Sequence, residues 1–278
     1  RLEHLAAAEN PRLVSRDDAA EALSRTVEFL ASDCRIPHVS LIPYPIVFSI
    51  LARWFHVNPG SEPATRRLLA RWVWRGALTG AHQRAAVSQM REQVRVIKAD
   101  DEQGSLDRLL ARVSSRVTEP WDLQRFHLKN ARSRIEVLAL LERRPRDRHG
   151  LVSIKELIDS GCGRVAREVF RAAELRKHPE QTHHLARTAA NRVLLHSAHT
   201  GLSAELQRWD WQDDRRALES QLIDEDSFAA LRGQDVASFL TRREAAVRAC
   251  VDELMRSRAG WDEPEIRPTE AYLELDPE

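Results

Sequence analysis

Residues Pro63 to Gly80 read PATRRLLARWVWRGALTG, and this stretch indicates the helical character of the whole sequence. Ser61, Glu62 and Pro63 form a helix start, because proline fits the first turn of a helix, and Gly80 is a common helix stop. Helical periodicity recurs along most of the chain. It predicts further helices over residues 83–98, 105–116, 122–142, 164–176, 183–197, 213–222, 225–232 and 235–257.

The sequence therefore predicts a mostly α fold, a multi-helix array with little or no sheet and less than about 10% strand. RVIKA, residues 95–99, is the one strand-like run. Two charged connectors, KADDEQGS at 98–105 and ERRPRDRHG at 142–150, separate helices. We expect an N-terminal helical lobe over 1–104, a C-terminal helical lobe over 105–260 and an acidic, proline-containing tail over 261–278.

The formal net charge of +1 hides a strong asymmetry along the chain. Residues 61–150 carry 19 basic and 11 acidic side chains, whereas residues 201–278 carry 10 and 19. The basic residues are nearly all arginine, 39 against 4 lysines, and arginine binds phosphate through a planar fork. The middle of the chain is basic enough to hold a polyanion, although solvated helix faces explain the same charges equally well.

Candidate DNA-binding residues come from two basic stretches of this middle region. They are Arg71, Arg75, Arg143, Arg144, Arg146 and Arg148. The tryptophans Trp54, Trp72 and Trp74 lie among such arginines. Core packing is one interpretation of these rings, and stacking on an unpaired base is the other.

We expect a cytoplasmic protein without a membrane partner. No apolar run approaches the roughly 18 to 20 residues that a membrane span needs. The cysteines Cys34, Cys162 and Cys250 are odd in number and far apart, which fits a reducing compartment. The sequence opens on Arg1 with neither an initiator Met nor a signal-peptide pattern, as expected of a fragment.

Four stretches in a fixed order resemble a known family. They are LIPYPIVFSILARWF at 41–55, RRLLARWVWRGALTG at 66–80, ANRVLL at 190–195 and LESQLIDEDSFAALRGQDVASFLTRREAAV at 218–247. Together they resemble the C-terminal helical part of GmrSD-type restriction proteins, from about residue 36 to residue 262. The resemblance implies a ParB-like N-terminal domain that hydrolyses nucleotides through a DGQQR-like motif. That motif is absent from this sequence.

The resemblance also implies an HNH-type nuclease region, and here the sequence departs from the family. The paired histidines of the family fall on Arg167 and Glu168, the central Asn falls on Asn191, and a later Asn falls on Thr200. Arginine stays protonated at neutral pH and cannot act as a general base. We therefore expect a degenerate HNH-like region with no catalytic residue and no cofactor.

The segment HHLARTAANRVLLHSAHTG, residues 183–201, leaves a second possibility open. On one helix His196 and His199 would share a face, with His183 and His184 about 18 Å away. No Glu lies between residues 181 and 204, so carboxylates for a metal site would have to come from elsewhere. Asn191 is interpreted as a buried amide that ties the helix to a neighbouring backbone.

Three hypotheses follow for function. The first is a non-catalytic region of a GmrSD-like antiviral restriction protein that binds DNA or positions a partner subunit or its own N-terminal domain. The second is a nuclease dependent on a divalent metal, with His184, Asn191 and His199 as the favoured catalytic set. Its full candidate set is His178, His183, His184, Asn191, His196 and His199. The third is a protein-interaction scaffold without nucleic-acid affinity.

Overall fold

The structure, a computed structural model, describes residues 15–83, 87–159, 165–176, 178–196 and 201–265. Within these ranges it contains helices α1–α13 and four strands of two residues each. The predicted mostly helical fold is therefore confirmed. The chain forms two compact units, which are described separately.

Unit 1 comprises the described residues up to Thr118 and from Met255 onward. It contains α1 (Arg16–Ser32), a 3-10 turn (Val39–Leu41), α2 (Ile46–Val57), α3 (Pro63–Leu78), α4 (Val87–Arg95), α5 (Glu102–Ala111) and the end of α13 (Val236–Ala259). Ser15 caps α1 by accepting a hydrogen bond from the backbone N–H of Asp18 at 3.0 Å. Helix α1 packs on α2, and α3 packs on α5.

The tryptophans of unit 1 are core residues. The side chains of Trp54, Trp72 and Trp74 are at most 1% exposed. Trp54 donates its indole N–H to Ser61 Oγ at 3.0 Å, and Trp74 donates to the carbonyl of Cys34 at 3.0 Å. The interpretation as core residues is confirmed. The alternative of stacking on an unpaired base is wrong for these rings, because a buried ring offers no face to a ligand.

Unit 2 comprises the described residues from Glu119 to Leu254. It contains α6 (Ala131–Glu142), β1 (Arg146–Asp147), β2 (Gly150–Leu151), α7 (Ile154–Asp159), β3 (Arg167–Glu168), α8 (Ala172–Leu175), α9 (Glu180–Ala186), a 3-10 turn (Ala189–Asn191), β4 (Arg192–Val193), α10 (Ser203–Leu206), α11 (Trp211–Ser220), α12 (Glu225–Arg232) and most of α13. The strands pair antiparallel as β1–β2 and β3–β4. Glu168 pairs with Arg192, and Arg167 pairs with Val193.

The division into units falls at 118/119 and 254/255, whereas the sequence predicted boundaries at 104/105 and 260/261. Helix α5 packs on α3 and so belongs with the first unit. The end of α13 is held by Arg75, whose Nε donates to the carbonyl of Ala259 at 2.8 Å and whose Nη2 donates to that of Gly260 at 3.0 Å. Long-range contacts of this kind are not visible in local composition.

The helix predicted over residues 122–142 is wrong in its first half, since α6 begins at Ala131. Residues 121–124 instead alternate between buried and exposed, with Trp121 and Leu123 buried. This period of two is typical of an extended segment rather than a helix. Asn130 stands at the N-cap of α6 and ends the extended stretch.

The helices predicted over 164–176 and 183–197 are also corrected. The first contains strand β3 and only one helical turn, α8. The second ends at Ala186 with α9 and continues as the 3-10 turn and strand β4. Thr188 caps the 3-10 turn by accepting from the backbone N–H of Ala190 at 3.2 Å. Residues 192–193 then pair with β3, and this strand pairing overrides the helical periodicity of the sequence.

Candidate anion-binding cleft

Asn191 fixes the loop after β3 to the turn before β4. Its side chain is 1% exposed. Oδ1 accepts from the backbone N–H of Phe170 at 2.9 Å, and Nδ2 donates to the carbonyls of Phe170 and Ala186, each at 2.9 Å. The predicted role of a buried amide that ties backbone segments together is confirmed. Because its oxygen and its nitrogen both form these hydrogen bonds, the Asn191 amide has a structural role.

Arg243 supports the same turn from α13. It is fully buried, and its Nε donates to the carbonyl of Ala190 at 2.8 Å. Its terminal nitrogens donate to the carbonyls of Gln221 and Arg192. Burial lowers the pKa of Arg243 to about 9, so the group remains a cation at neutral pH. Asn191 and Arg243 together fix the backbone of residues 190–192.

A cleft of about 220 Å³ opens beside this turn. Its wall is built by the extended segment before α6, by β3 and β4, and by α8 and α9. The lining residues are Arg125, Phe126, His127, Glu168, Phe170, Ala172, Leu175, His183, Ala186, Arg187, Asn191 and Arg192. Three arginines face one carboxylate, so the lining carries two positive charges in excess.

Arg192 is the most buried of the three arginines that line the cleft. Its guanidinium lies 5.0 Å from the centre of the Phe126 ring, and its Nη2 lies 2.9 Å from Oε1 of Glu168. Burial lowers the pKa of Arg192, and its Nε is buried without a hydrogen-bond partner. A cation that keeps an unsatisfied donor attracts an additional acceptor, such as a phosphate oxygen.

Arg125 and Arg187 also line the cleft, and both are exposed. The backbone N–H of Phe126 donates to the carbonyl of Arg187 at 2.8 Å, which ties the two segments that carry them. Neither side chain forms an ion pair within the described residues. Both guanidinium groups are therefore available to a ligand that enters the cleft.

The two positions aligned with the paired histidines of a nuclease lie on β3, at one side of this cleft. Arg167 and Glu168 are half-buried, and Glu168 is paired with Arg192. The carboxylate of Glu168 is engaged by the Arg192 guanidinium, and the protonated guanidinium of Arg167 cannot accept a proton. The local geometry therefore offers no general base at the expected place.

Of the six residues proposed for a nuclease site, His183 and Asn191 line the same cleft, and the other residues that the structure describes lie elsewhere. His183 lines the cleft, where its Nε2 lies 2.6 Å from the carbonyl of Leu175, while His184 is exposed in a separate groove with Thr182 and Ala237. His178 follows α8, and His199 lies outside the described residues. His196 lies after β4 in a non-helical segment, so it does not share one helix with His183 and His184 on α9.

His196 instead meets the carboxylates that the sequence could not supply locally. Its Nδ1 lies 2.9 Å from Oδ2 of Asp147, and its Nε2 lies 3.4 Å from Oε2 of Glu156. Asp147 comes from β1 and Glu156 from α7. Sequence reasoning missed both residues, because 49 positions separate Asp147 from His196.

Two of the proposed DNA-binding arginines are engaged inside unit 1. Arg75 is 6% exposed, holds the end of α13 and pairs with Glu265. Arg71 pairs with Glu263 and donates to the carbonyl of Pro264 at 2.9 Å. Neither guanidinium is presented to an incoming phosphate in this arrangement.

The other four arginines of the prediction surround the β1–β2 hairpin in unit 2. Arg143, Arg144 and Arg146 are exposed. Arg148 donates through Nε to Oδ1 of Asp214 at 2.9 Å and lies 5.2 Å from the centre of the Trp209 ring. Three of the four are therefore accessible, and the fourth already has a carboxylate partner.

Arg125, Arg187 and Arg192 were missed as candidate ligands. Arg187 and Arg192 lie inside the histidine-rich stretch, and Arg125 lies in a segment predicted as helix. For Arg125 a signal was available, because Trp121 and Leu123 alternate with polar residues as in an extended segment. We find no comparable local signal for Arg187 and Arg192.

No protein-family model, no curated protein and no solved structure matches this chain. No helix in the described ranges has the length and apolar character to cross a membrane. Among the same residues, no group of three or more His, Cys, Asp or Glu side chains is arranged to hold a metal ion.

Proposed function

We propose that this chain is a non-catalytic DNA-binding region and that the cleft in unit 2 receives a backbone phosphate. The observation that carries the proposal is the convergence of Arg125, Arg187 and Arg192 on one cleft with a single acid, Glu168. Phosphate oxygens accept hydrogen bonds from the planar fork of arginine, which matches them in pairs.

The cleft suits contact with the nucleic-acid backbone rather than reading of the bases. The arginines that line it carry guanidinium groups, which supply affinity without sequence information when they contact phosphate. We expect non-specific binding with a Kd in the roughly 10⁻⁴ to 10⁻⁶ M range at physiological salt. The exposed Arg143, Arg144 and Arg146 would extend the positive surface of unit 2.

A non-catalytic role is supported by the side chains at the two positions where a nuclease would carry its base. These are Arg167 and Glu168, and Glu168 is paired with Arg192. The resemblance to GmrSD-type proteins implies that chemistry would lie in a ParB-like domain or in a partner subunit. We propose that this chain holds DNA for that partner as part of an antiviral restriction system that senses modified DNA.

The decisive experiment is a fluorescence-anisotropy titration of duplex DNA over a series of salt concentrations. The double variant Arg125→Ser, Arg187→Ser should weaken binding about tenfold or more and lower the slope of log K against log salt by up to about 2. The loss should be similar on unrelated DNA sequences, because phosphate contacts position a protein without reading bases.

The matched control is Arg208→Ser, Arg216→Ser, which removes the same charge from exposed positions of the same unit outside both basic stretches. Equal loss in both double variants would show that general charge, rather than the cleft, governs binding. If the unmodified chain does not retard DNA even at about 50 mM salt, the scaffold hypothesis replaces the DNA-binding one.

A further inference from the structure

Phe126 presents an accessible aromatic ring in the cleft of unit 2. The residue is half-buried and lines the cleft, and the Arg192 guanidinium lies over the ring at 5.0 Å from its centre. The backbone N–H of Phe126 donates to the carbonyl of Arg187 at 2.8 Å, which fixes the backbone that carries the ring. The other phenylalanine of the lining, Phe170, is only 3% exposed and packs edge-on against Phe239. Phe126 is therefore the phenylalanine that a ligand in the cleft can contact.

The charges of the cleft fall into two groups. Arg192 and Glu168 form an ion pair between Nη2 and Oε1 at 2.9 Å, so together they add no net charge. The positive excess of the lining is carried by Arg125 and Arg187, which are exposed. A phosphate is attracted to those two guanidinium groups, whereas the carboxylate of Glu168 repels it. The part of the cleft beside the ion pair and Phe126 therefore suits a neutral, polar and flat group better than an anion.

The cleft is larger than a phosphate group requires. A phosphate displaces about two to three water molecules at roughly 30 Å³ each, whereas the cleft measures about 220 Å³. Ala172, Leu175 and Ala186 add apolar surface to its lining. The side chain of Glu168 is 41% exposed and can accept hydrogen bonds from N–H groups of a ligand in addition to its pairing with Arg192. A nucleobase matches these features, because it has flat apolar faces and N–H donors on its edges.

We infer that the cleft receives an unpaired nucleotide of single-stranded DNA, with the base against Phe126 and the phosphates at Arg125 and Arg187. This preference for single strands rests on the proposed DNA-binding function of the same cleft. In a duplex the bases are stacked on one another, so their flat faces are not free to contact Phe126. Stacking tolerates every base, since each has a π face, and the cleft therefore contacts a base without reading the sequence.

The test compares two single strands of about 12 nucleotides, a length within the usual range of single-strand sites. One strand is oligo-thymidine, and the other carries the same number of phosphates on abasic sugars. Anisotropy titrations of the full chain at one salt concentration should give an affinity about 5- to 100-fold higher for the strand that has bases, as expected of one stacked base. Equal affinity for the thymidine and abasic strands would overturn the assignment of a base to the cleft.

Variants at Phe126 locate the base. Phe126→Leu should weaken binding of oligo-thymidine by about 5- to 100-fold and leave binding of the abasic strand and of duplex DNA unchanged. Phe126→Tyr keeps the ring and should bind oligo-thymidine normally. The matched control Trp211→Leu removes a half-buried aromatic ring from α11, outside the cleft, and should also bind normally. Equal losses on both single strands in Phe126→Leu would mean that the ring only positions Arg192, which would contradict base stacking.

The same titrations separate the base site from the proposed function. If Arg125→Ser, Arg187→Ser weakens binding of both single strands and the unmodified chain does not distinguish them, the cleft contacts phosphate alone. The base site is then wrong, and the proposed DNA-binding function stands. If the unmodified chain binds neither single strand nor duplex DNA, both are wrong.

Discussion

Arg243 and Asn191 both form hydrogen bonds that stabilise the 3-10 turn before β4. Arg243 Nε donates to the carbonyl of Ala190 at 2.8 Å, and Asn191 Nδ2 donates to that of Ala186 at 2.9 Å. The turn leads directly into Arg192, whose side chain lines the cleft. A buried structural arginine therefore positions an arginine that is available to a ligand.

Replacing Arg243 by Met should destabilise unit 2 by at least about 3 kcal/mol, because the carbonyls of Ala190, Gln221 and Arg192 would lose their donor. Urea unfolding followed by circular dichroism measures the loss. Arg242→Met is the control, since Arg242 is an exposed neighbour that pairs with Asp226, and it should cost less than about 1 kcal/mol. Equal stability of the two variants would contradict the role given to Arg243.

Glu136 should make the stability of unit 2 depend on pH. The carboxyl is 1% exposed, accepts from Trp121 Nε1 at 3.2 Å through Oε1, and leaves Oε2 without a hydrogen-bond partner. Burial raises its pKa from 4.5 to about 7. A raised pKa in the folded state means that stability is present below about pH 4.5 and is lost as the pH rises through about 7.

The variant Glu136→Gln should remove this dependence and be more stable than the unmodified chain at about pH 8, by up to about 3 kcal/mol. Unfolding measured from about pH 5 to pH 8 tests the prediction. The exposed Glu119→Gln serves as a control and should leave the pH profile unchanged. Parallel profiles for Glu136→Gln and the unmodified chain would show that Glu136 is charged in the fold at neutral pH.

The chain should not cleave DNA with Mg²⁺ or Mn²⁺. Arg167 and the paired Glu168 stand where the resemblance expects the histidines, and the amide of Asn191 is fully engaged by the backbone. A plasmid-nicking assay over several hours measures the activity. Robust nicking that is abolished by His184→Ala or His199→Ala would establish the nuclease hypothesis instead.

The acidic segment 262–265 should lower the affinity of unit 1 for DNA. Arg116 is held by both carboxylate oxygens of Asp262 at 2.6 and 3.0 Å, and Arg71 is paired with Glu263. Changing Asp262→Asn and Glu263→Gln together should free both guanidinium groups and strengthen DNA binding with a steeper salt dependence. Removal of residues 261–278 should act in the same direction.

The matched control is Glu119→Gln, Glu180→Gln, which changes the net charge equally at exposed positions without an ion pair in the described residues. Anisotropy titrations compare the two double variants. If both strengthen binding to the same extent, the effect is one of net charge. If neither does, the arginines of unit 1 do not contact DNA.

The helical elements could be predicted from the sequence because their signals are local. Helix α3 begins at Pro63 as its start signals indicated, and α12 has the predicted bounds of residues 225 and 232. Trp72 and Trp74 are two positions apart and so lie on different faces of α3, which means that only the tertiary structure decided that both are buried. The resemblance to GmrSD-type proteins and the DNA-binding function stay predictions, to be tested by the experiments above.

The cleft and the pairing of β3 with β4 were decided only by tertiary structure. Glu168 and Arg192 are 24 positions apart, and no local pattern indicates that their backbones pair. The same holds for Asp147 and His196, which meet across 49 positions. Local propensity acts within a few residues along the chain, whereas the burial of Asn191 and Arg243 requires partners from distant segments. The sequence by itself therefore determined helices with strong local signals, such as α3 and α12, and the satisfaction of buried polar groups determined which side chains face one another.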